Sequence, residues 1–102
     1  MEIKHFKNGN SLTLYVYGEL DEYSASNAKN ILDKLLNDNL DSDRVIFNLS
    51  GLSFMDSTGI GLLIGRYKKI SNFGVPVYIS GASPQTEKVI ELAGLYNIMP
   101  KI

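Results

Sequence analysis

A chain of 102 residues with 44% hydrophobic and 21% charged side chains fits one globular domain with one core, so we expect a single domain over residues 1–102. Ten basic and eleven acidic side chains give a formal charge of −1, which argues against a nucleic-acid partner because such proteins normally carry a basic face. The lack of cysteine excludes a disulfide framework and a thiolate metal site, and the lack of a long apolar run or secretory leader predicts a cytoplasmic protein with no membrane partner.

The first part of the chain predicts a β-hairpin followed by a helix. Ile3 to Phe6 is a candidate strand, and the Asn8-Gly9-Asn10 segment after it is a strong signal for a tight turn. Apolar and polar residues then alternate from Leu12 to Tyr17, as in a strand with one face toward the core. From Ser24 onward the apolar residues recur with helical period, in a stripe made of Ala28, Ile31, Leu32, Leu35 and Leu36.

The second part of the chain alternates strands with helices. The apolar run from Arg44 to Leu49 is typical of a buried strand, and a helix is predicted from Ser57 to about Asn72. Another strand is predicted over Val75 to Ser80. The inward face of the helix is predicted to consist of Ile60, Leu63, Ile64, Tyr67 and Ile70.

The C-terminal part begins with a helix. Ser83-Pro84 is a helix start with an N-cap serine and an N1 proline, and Gly94 is a natural stop. Residues 97–102 are a candidate for a short edge strand. The element order is therefore β-β-α-β-α-β-α, with or without a final strand. This order predicts an α/β fold with a mixed sheet of four to five strands flanked by helices.

Catalytic chemistry has little support in the sequence. His5 is the single histidine, at the start of a short strand, where a surface or packed imidazole is the ordinary interpretation. The basic segment Arg66 to Lys69 is interpreted as a solvated helix face. Solvation also explains the acids on the helix exterior and in the polar loop, which are Asp33, Asp38, Asp41 and Asp43. We expect a protein that is not an enzyme and that needs no cofactor.

The segment FMDSTGIGLLIG, Phe54 to Gly65, resembles two enzyme motifs without matching either. A dinucleotide fingerprint needs glycine or another small residue at its third position, which here falls on Ile64, and Gly65 comes one residue late. The Asp-Ser-Thr-Gly sequence has one residue too many for an aspartic-protease motif, and it has no second copy. There is no Gly-Lys-Ser/Thr of a P-loop either.

The same segment makes physical sense as a helix start. Asp56 can accept hydrogen bonds from the free N–H groups of the first turn, in which Ser57 and Thr58 lie. Three glycines within one helix cost about 0.8–1 kcal/mol each relative to alanine, so packing or a partner must compensate. We expect Gly61 and Gly65 to pack closely, and Gly59 with Ile60 to be exposed.

A serine at a helix N-terminus is well suited to phosphorylation. The phosphate would gain only about 0.3–1 kcal/mol from the helix dipole, so the fold should tolerate it. In a docked interface the same charge could cost several kcal/mol of binding free energy, and each 1.4 kcal/mol changes the affinity about tenfold. The position of Ser57 is therefore compatible with a switch.

Residues Leu52 to Ile70, LSFMDSTGIGLLIGRYKKI, resemble the signature of the anti-sigma factor antagonists of the STAS domain family, in particular the antagonists of the anti-sigma F factor of the sporulation branch. Three further segments match the family pattern: Gly18 to Ala25 after the second strand, Ser83-Pro84, and Ala93 to Leu95. The resemblance covers nearly the whole chain.

The resemblance implies a partner and a modification. Family members bind an anti-sigma factor that is also a serine kinase, which phosphorylates the serine after the motif aspartate, and a protein phosphatase restores the binding form. That serine is Ser57 here, with Thr58 as the alternative. The implied docking surface comprises Glu19, Asp21, Glu22, Asp56, Thr58, Gly59, Ile60 and Gly61. Asp21 has an equal interpretation as a helix-start cap.

Two alternatives remain open at this point. Within the family, the domain could serve another regulatory complex or a transporter-associated complex. Outside it, the contrasting class is an enzyme or nucleotide-binding protein. No apolar stripe is left over after the core is assigned, which favours a monomer.

Overall fold

The computed structural model describes all residues, 1–102, and contains one mixed sheet with three α-helices. The strands are β1 (Glu2–Asn8), β2 (Ser11–Leu20), β3 (Arg44–Asn48), β4 (Leu52–Met55) and β5 (Val77–Ser80). The helices are α1 (Ala25–Asn37), α2 (Ser57–Ser71) and α3 (Pro84–Leu92), and a 3-10 turn follows at Leu95–Asn97. The predicted α/β class and the mixed sheet are confirmed, with five strands.

The sheet is built around β2. The tight turn at Gly9, whose φ is 60°, brings β1 back antiparallel to β2. On its other side β2 pairs in parallel with β3, and β3 pairs in parallel with β5, so the strand order is β1-β2-β3-β5. The short strand β4 pairs in parallel with the C-terminal end of β2.

The core lies between one face of this sheet and the helices. Leu12, Leu14 and Val16 alternate with half-buried residues along β2 and are fully buried, as their period of two predicts. The helix stripes meet them there. The buried members of α1 are Ala28, Leu32 and Leu36, and those of α2 include Ile60, Leu63 and Ile70.

Two features at the strand level differ from the sequence-based expectation. Strand β4 was not predicted, because it has four residues and two of them, Ser53 and Phe54, are exposed, so it shows neither a buried run nor a clear alternation. The expected strand over 97–102 is reduced to one bridge between Lys101 and Ile79.

Arg66 and Asp33 were expected to be solvated, but they lie at the contact between α1 and α2, which covers most of both side chains. Arg66 is 9% exposed, and its Nε lies 3.1 Å from Oδ1 of Asp33. Lys69 contacts the same oxygen at 3.5 Å. The interpretation of the Arg66 to Lys69 segment as a wholly solvated face is therefore wrong for Arg66, because the packing of α1 covers it.

All three helices are too short or too polar to cross a membrane.

Candidate functional site

Asp56 forms the N-cap of α2, as the sequence predicts. Its backbone is extended, with φ −108° and ψ −171°, and its carboxylate Oδ1 accepts hydrogen bonds from the backbone N–H groups of Thr58 at 2.9 Å and Gly59 at 3.1 Å. The N–H of Ile60 donates to the Asp56 carbonyl oxygen at 3.1 Å, which closes the first turn. These bonds use the donors that a helix start leaves free and fix the orientation of the first turn.

The sheet brings a second acid to the same edge. In the parallel pairing of β2 with β4, Leu20 lies opposite Met55, so the residues that follow them, Asp21 and Asp56, leave the sheet at the same end. The Asp56 N–H points toward the Leu20 carbonyl oxygen at 3.4 Å. The strand that the sequence did not predict is therefore the element that positions the site.

Asp21 organises the turn before α1. Its Oδ1 accepts hydrogen bonds from the N–H groups of Tyr23 and Ser24, both at 3.0 Å. In return the Ser24 hydroxyl oxygen accepts from the Asp21 N–H at 3.0 Å, and the hydroxyl donates to the Glu19 carbonyl at 2.8 Å. The N-cap of α1 is Ser24, whose side chain makes no cap hydrogen bond, so Asp21 caps the turn before α1 and not the helix itself. Its bonds give the loop that carries Glu19 and Glu22 a defined shape.

Ser57 and Thr58 are both exposed, in the first turn of α2. The elements around them, residues 18–24 and 52–61, contain no lysine or arginine. They do contain four carboxylates, on Glu19, Asp21, Glu22 and Asp56. A negative group added at Ser57 would therefore find no cationic partner on these segments, and its main effect would fall on an approaching molecule.

The glycines of α2 behave opposite to the expectation. Gly59 and Ile60 are buried, because the first turn of α2 sits on the ends of β2 and β4: a β-carbon on Gly59 would lie 2.5 Å from the Leu20 carbonyl oxygen. A β-carbon on Gly61 or Gly65 would meet nothing within 4 Å. The expected close packing of Gly61 and Gly65 and the expected exposure of Gly59 and Ile60 are both wrong.

The structure adds surface residues that the sequence reasoning missed. A shallow depression beside the Asp21 turn is lined by Met1, Gly18, Glu19, Asp21, Tyr23, Ser24 and Ser53. Tyr23 is 88% exposed and Phe54 is 50% exposed. Recognising Ser53 and Phe54 required knowing that β4 lies next to β2, which no local pattern indicated. No group of three or more potential metal-ligating side chains occurs in the structure.

Comparisons with known proteins identify the family to which the chain is similar. The family model described as STAS domain matches residues 3–102. An anti-sigma-B factor antagonist from Staphylococcus aureus is 33% identical over 84 residues, which cover 82% of this chain and 76% of the relative. An anti-sigma F factor antagonist from Paenibacillus polymyxa is 28% identical over 100 residues, 98% of this chain and 83% of the relative.

A solved structure has the same fold. The anti-sigma factor antagonist SpoIIAA in its unphosphorylated form superposes with a TM-score of 0.80 at 24% identity, covering 99% of this chain and 88% of that one. At this identity the match establishes the fold alone. The two sequence relatives supply the information about family.

Proposed function

Since the chain belongs to the STAS domain family, we propose that it acts as an anti-sigma factor antagonist that is switched by phosphorylation of Ser57. Its sequence relatives are anti-sigma factor antagonists, which are regulatory binding proteins and not enzymes. In the proposed cycle the unphosphorylated protein binds an anti-sigma factor with serine kinase activity and thereby releases a sigma factor. Phosphorylation at Ser57 ends the binding, and a protein phosphatase restores it.

The observation that carries this proposal is the exposed position of Ser57 on a rigid helix start. A kinase must reach the hydroxyl oxygen, and Ser57 offers it at the surface. Thr58 is also exposed, and it remains the alternative acceptor. The cap bonds to Asp56 involve backbone N–H groups and the carboxylate, so modification of the serine hydroxyl leaves them intact.

The charge distribution restricts how phosphorylation of Ser57 can end binding. Phosphate adds about 1.5 to 2 negative charges beside four carboxylates. A partner that is complementary to this acidic surface is itself basic, and simple attraction would favour the phosphorylated form. The switch therefore requires that the partner packs closely against Ser57, so that a bulky dianion is desolvated or excluded.

The residues proposed for partner binding now divide into two groups. Glu19, Asp21, Glu22, Thr58 and Gly61 are at least partly accessible, and they are the proposed contact residues together with the half-buried Asp56. Gly59 and Ile60 are buried beneath them. We propose that these two support the surface by fixing the first turn of α2, and do not contact the partner themselves.

The test uses purified candidate anti-sigma factor kinases of the same organism. Each is incubated with ATP and the wild-type protein, Ser57→Ala or Ser57→Asp, and the phosphate is mapped by mass spectrometry. We expect modification of the wild type at Ser57 and none of Ser57→Ala. Ser57→Asp should bind at least about tenfold more weakly, a loss of about 1.4 kcal/mol. Thr58→Ala tests the alternative acceptor, and the phosphate should still be found on Ser57 in this variant.

Two results would contradict the proposal. The first is phosphate found elsewhere while Ser57→Asp binds normally. The second is failure of every candidate kinase to bind the unmodified wild-type protein. Phosphate on Thr58 with Ser57 untouched would move the switch to the neighbouring hydroxyl.

A further inference from the structure

A second surface depression lies between β4 and α3, outside the set of residues considered so far. We call it the β4–α3 groove, and it is lined by Ser53, Phe54, Met55, Gln85, Thr86 and Val89. Met55 and Thr86 form its buried floor, whereas Phe54 and Gln85 are exposed at its sides. The groove therefore has one apolar and one polar residue at its base, and it is accessible from solvent.

Two large apolar side chains in or next to this groove, Phe54 and Leu92, remain exposed. Phe54 keeps 50% of its surface exposed. On α3, Gln85, Val89 and Leu92 are spaced by four and three residues and share one helix face, and Leu92 is 90% exposed. Aromatic side chains, phenylalanine included, are enriched in the buried centres of protein interfaces.

The β4–α3 groove is continuous with the depression beside the Asp21 turn. Ser53 lines both this groove and the depression formed by Glu19, Asp21 and Tyr23. Phe54 pairs with Glu19 across the β2–β4 ladder and precedes Ser57 by three residues. One accessible surface thus runs from the Asp21 turn over β4 to α3, with carboxylates at one end and apolar side chains at the other.

We propose that the β4–α3 groove is the second half of the kinase-docking surface, and that it receives an apolar side chain of the same anti-sigma factor kinase. This inference rests on the proposed function. The partner segment that fits would carry a basic residue facing Glu19 and Asp21, and an apolar residue placed to pack against Phe54 and Val89. Phe54 is then an affinity anchor distinct from the switch at Ser57.

The acidic end of this surface favours the kinase over a second copy of the chain. A symmetric dimer that covered the whole surface, from the Asp21 turn to α3, would bury the same carboxylates of both copies in one interface without a counter-ion. Like charges brought together in this way oppose association, whereas a basic partner neutralises them.

The test compares two phenylalanines that are exposed to a similar extent. Phe54→Ala is expected to weaken binding of the unphosphorylated protein to the kinase at least tenfold, as measured by calorimetry or surface plasmon resonance. Phe6→Ala, on the edge strand β1, removes a side chain that is 57% exposed and should change the dissociation constant less than twofold. Leu92→Ser removes a side chain that the fold does not need and should weaken binding as well, which keeps the test valid if Phe54→Ala proves unstable.

The outcomes separate this inference from the proposed function. If the wild type binds and Ser57→Asp does not, but Phe54→Ala and Leu92→Ser both bind like the wild type, the groove proposal is overturned and the proposed function stands. If the wild type itself binds no kinase, the proposed function fails. If the wild type forms a dimer that Phe54→Ala abolishes while kinase binding is unchanged, the groove belongs to a second copy and the proposal is wrong.

Discussion

The backbone of Gly59 lies directly against the carbonyl oxygen of Leu20: a β-carbon on the glycine would stand 2.5 Å from that oxygen and 2.7 Å from Cγ of Met55. The first turn of α2 is therefore seated on the ends of β2 and β4. This contact fixes Ser57 relative to the Asp21 turn, because β2 leads directly into that turn. Glycine is required here because there is no room for a β-carbon. The backbone conformation does not require it, because Gly59 has the ordinary helical conformation.

We expect Gly59→Ala to destabilise the fold although alanine is the better helix former. The added methyl must displace a backbone carbonyl, and overpacking of this kind costs about 1–3 kcal/mol. The gain in helix propensity, about 1 kcal/mol, offsets part of that cost. Urea unfolding should show a free energy of unfolding lower by up to about 2 kcal/mol.

Gly65→Ala is the matched control for this substitution. Its β-carbon meets nothing within 4 Å, so only the propensity gain applies, and the variant should be more stable than the wild type by up to about 1 kcal/mol. Equal stability changes in Gly59→Ala and Gly65→Ala would show that the Leu20 contact does not constrain the helix.

A substitution at Gly61 should change the stability of the fold and the affinity for the kinase in opposite directions. Gly61 is exposed, lies one helical turn after Ser57 and has open space around it, so Gly61→Ala should stabilise the fold by up to about 1 kcal/mol. In a closely packed interface the extra methyl should nevertheless weaken kinase binding by about tenfold. Unfolding and binding measurements on the same preparation test this, and a variant that binds as tightly as the wild type would remove Gly61 from the contact surface.

Local signals predicted the helix starts correctly. Asp56 caps α2, and the Ser83 hydroxyl oxygen accepts from the Thr86 N–H at 3.2 Å to cap α3. Both caps depend on residues within three positions of each other, so the sequence contains all the necessary information. The same reason explains why the hairpin turn at Gly9 was predicted.

Contacts between elements that are far apart in the sequence could not be predicted from local sequence patterns. The burial of Gly59 depends on β4 lying beside β2, and the cover over Arg66 depends on how α1 packs on α2. Neither arrangement leaves a local period or motif. The motif therefore predicted the helix start on which the candidate site lies, while the expected exposure of Gly59 and Ile60 was wrong.

Removing the Asp56 carboxylate should destabilise α2 at its start. Asp56→Ala loses two hydrogen bonds to backbone N–H groups, and the loss of an N-cap of this kind costs about 1 kcal/mol, within a range of about 0.5–2 kcal/mol. Asp56→Asn keeps an accepting oxygen and should lose much less. Thermal and urea unfolding of both variants check this, and equal losses would mean that the charge matters more than the hydrogen bonds.

An ion pair between Lys101 and Glu87 joins the C-terminal segment to α3. Lys101 donates a hydrogen bond to Oε1 of Glu87, and this bond holds the pKa of the Glu87 carboxyl below its usual value and raises the pKa of Lys101. A carboxyl with a lowered folded-state pKa contributes stability above its usual pKa and loses it as the pH falls through the folded value. In an NMR titration, Lys101→Ala should move the Glu87 pKa upward. Lys88→Ala, a neighbouring lysine on α3, should leave it unchanged.

Removing one partner of the ion pair between α1 and α2 should lower the stability of the fold. Nε of Arg66 lies 3.1 Å from Oδ1 of Asp33, and neither atom is satisfied by a well-directed hydrogen bond, so the contact is electrostatic. The Arg66 side chain is 11% exposed and that of Asp33 is 24% exposed. Because the Asp33 side chain is partly exposed to solvent, breaking this pair should cost less stability than the about 3–5 kcal/mol of a fully buried pair. Asp33→Ala should lower the free energy of unfolding by about 1–3 kcal/mol.

A double-mutant cycle distinguishes this pairing from simple loss of packing. Asp33→Ala leaves the Arg66 guanidinium without its counter-ion, so adding Arg66→Met should recover part of the lost stability instead of adding a second full loss. Lys69→Ala is the control, because its ammonium contacts Asp33 at 3.5 Å from a more exposed position and should cost less than about 0.5 kcal/mol. Strictly additive losses for Asp33→Ala and Arg66→Met in urea unfolding would show that the two charges are not coupled, and that α1 and α2 are held together by their apolar residues alone.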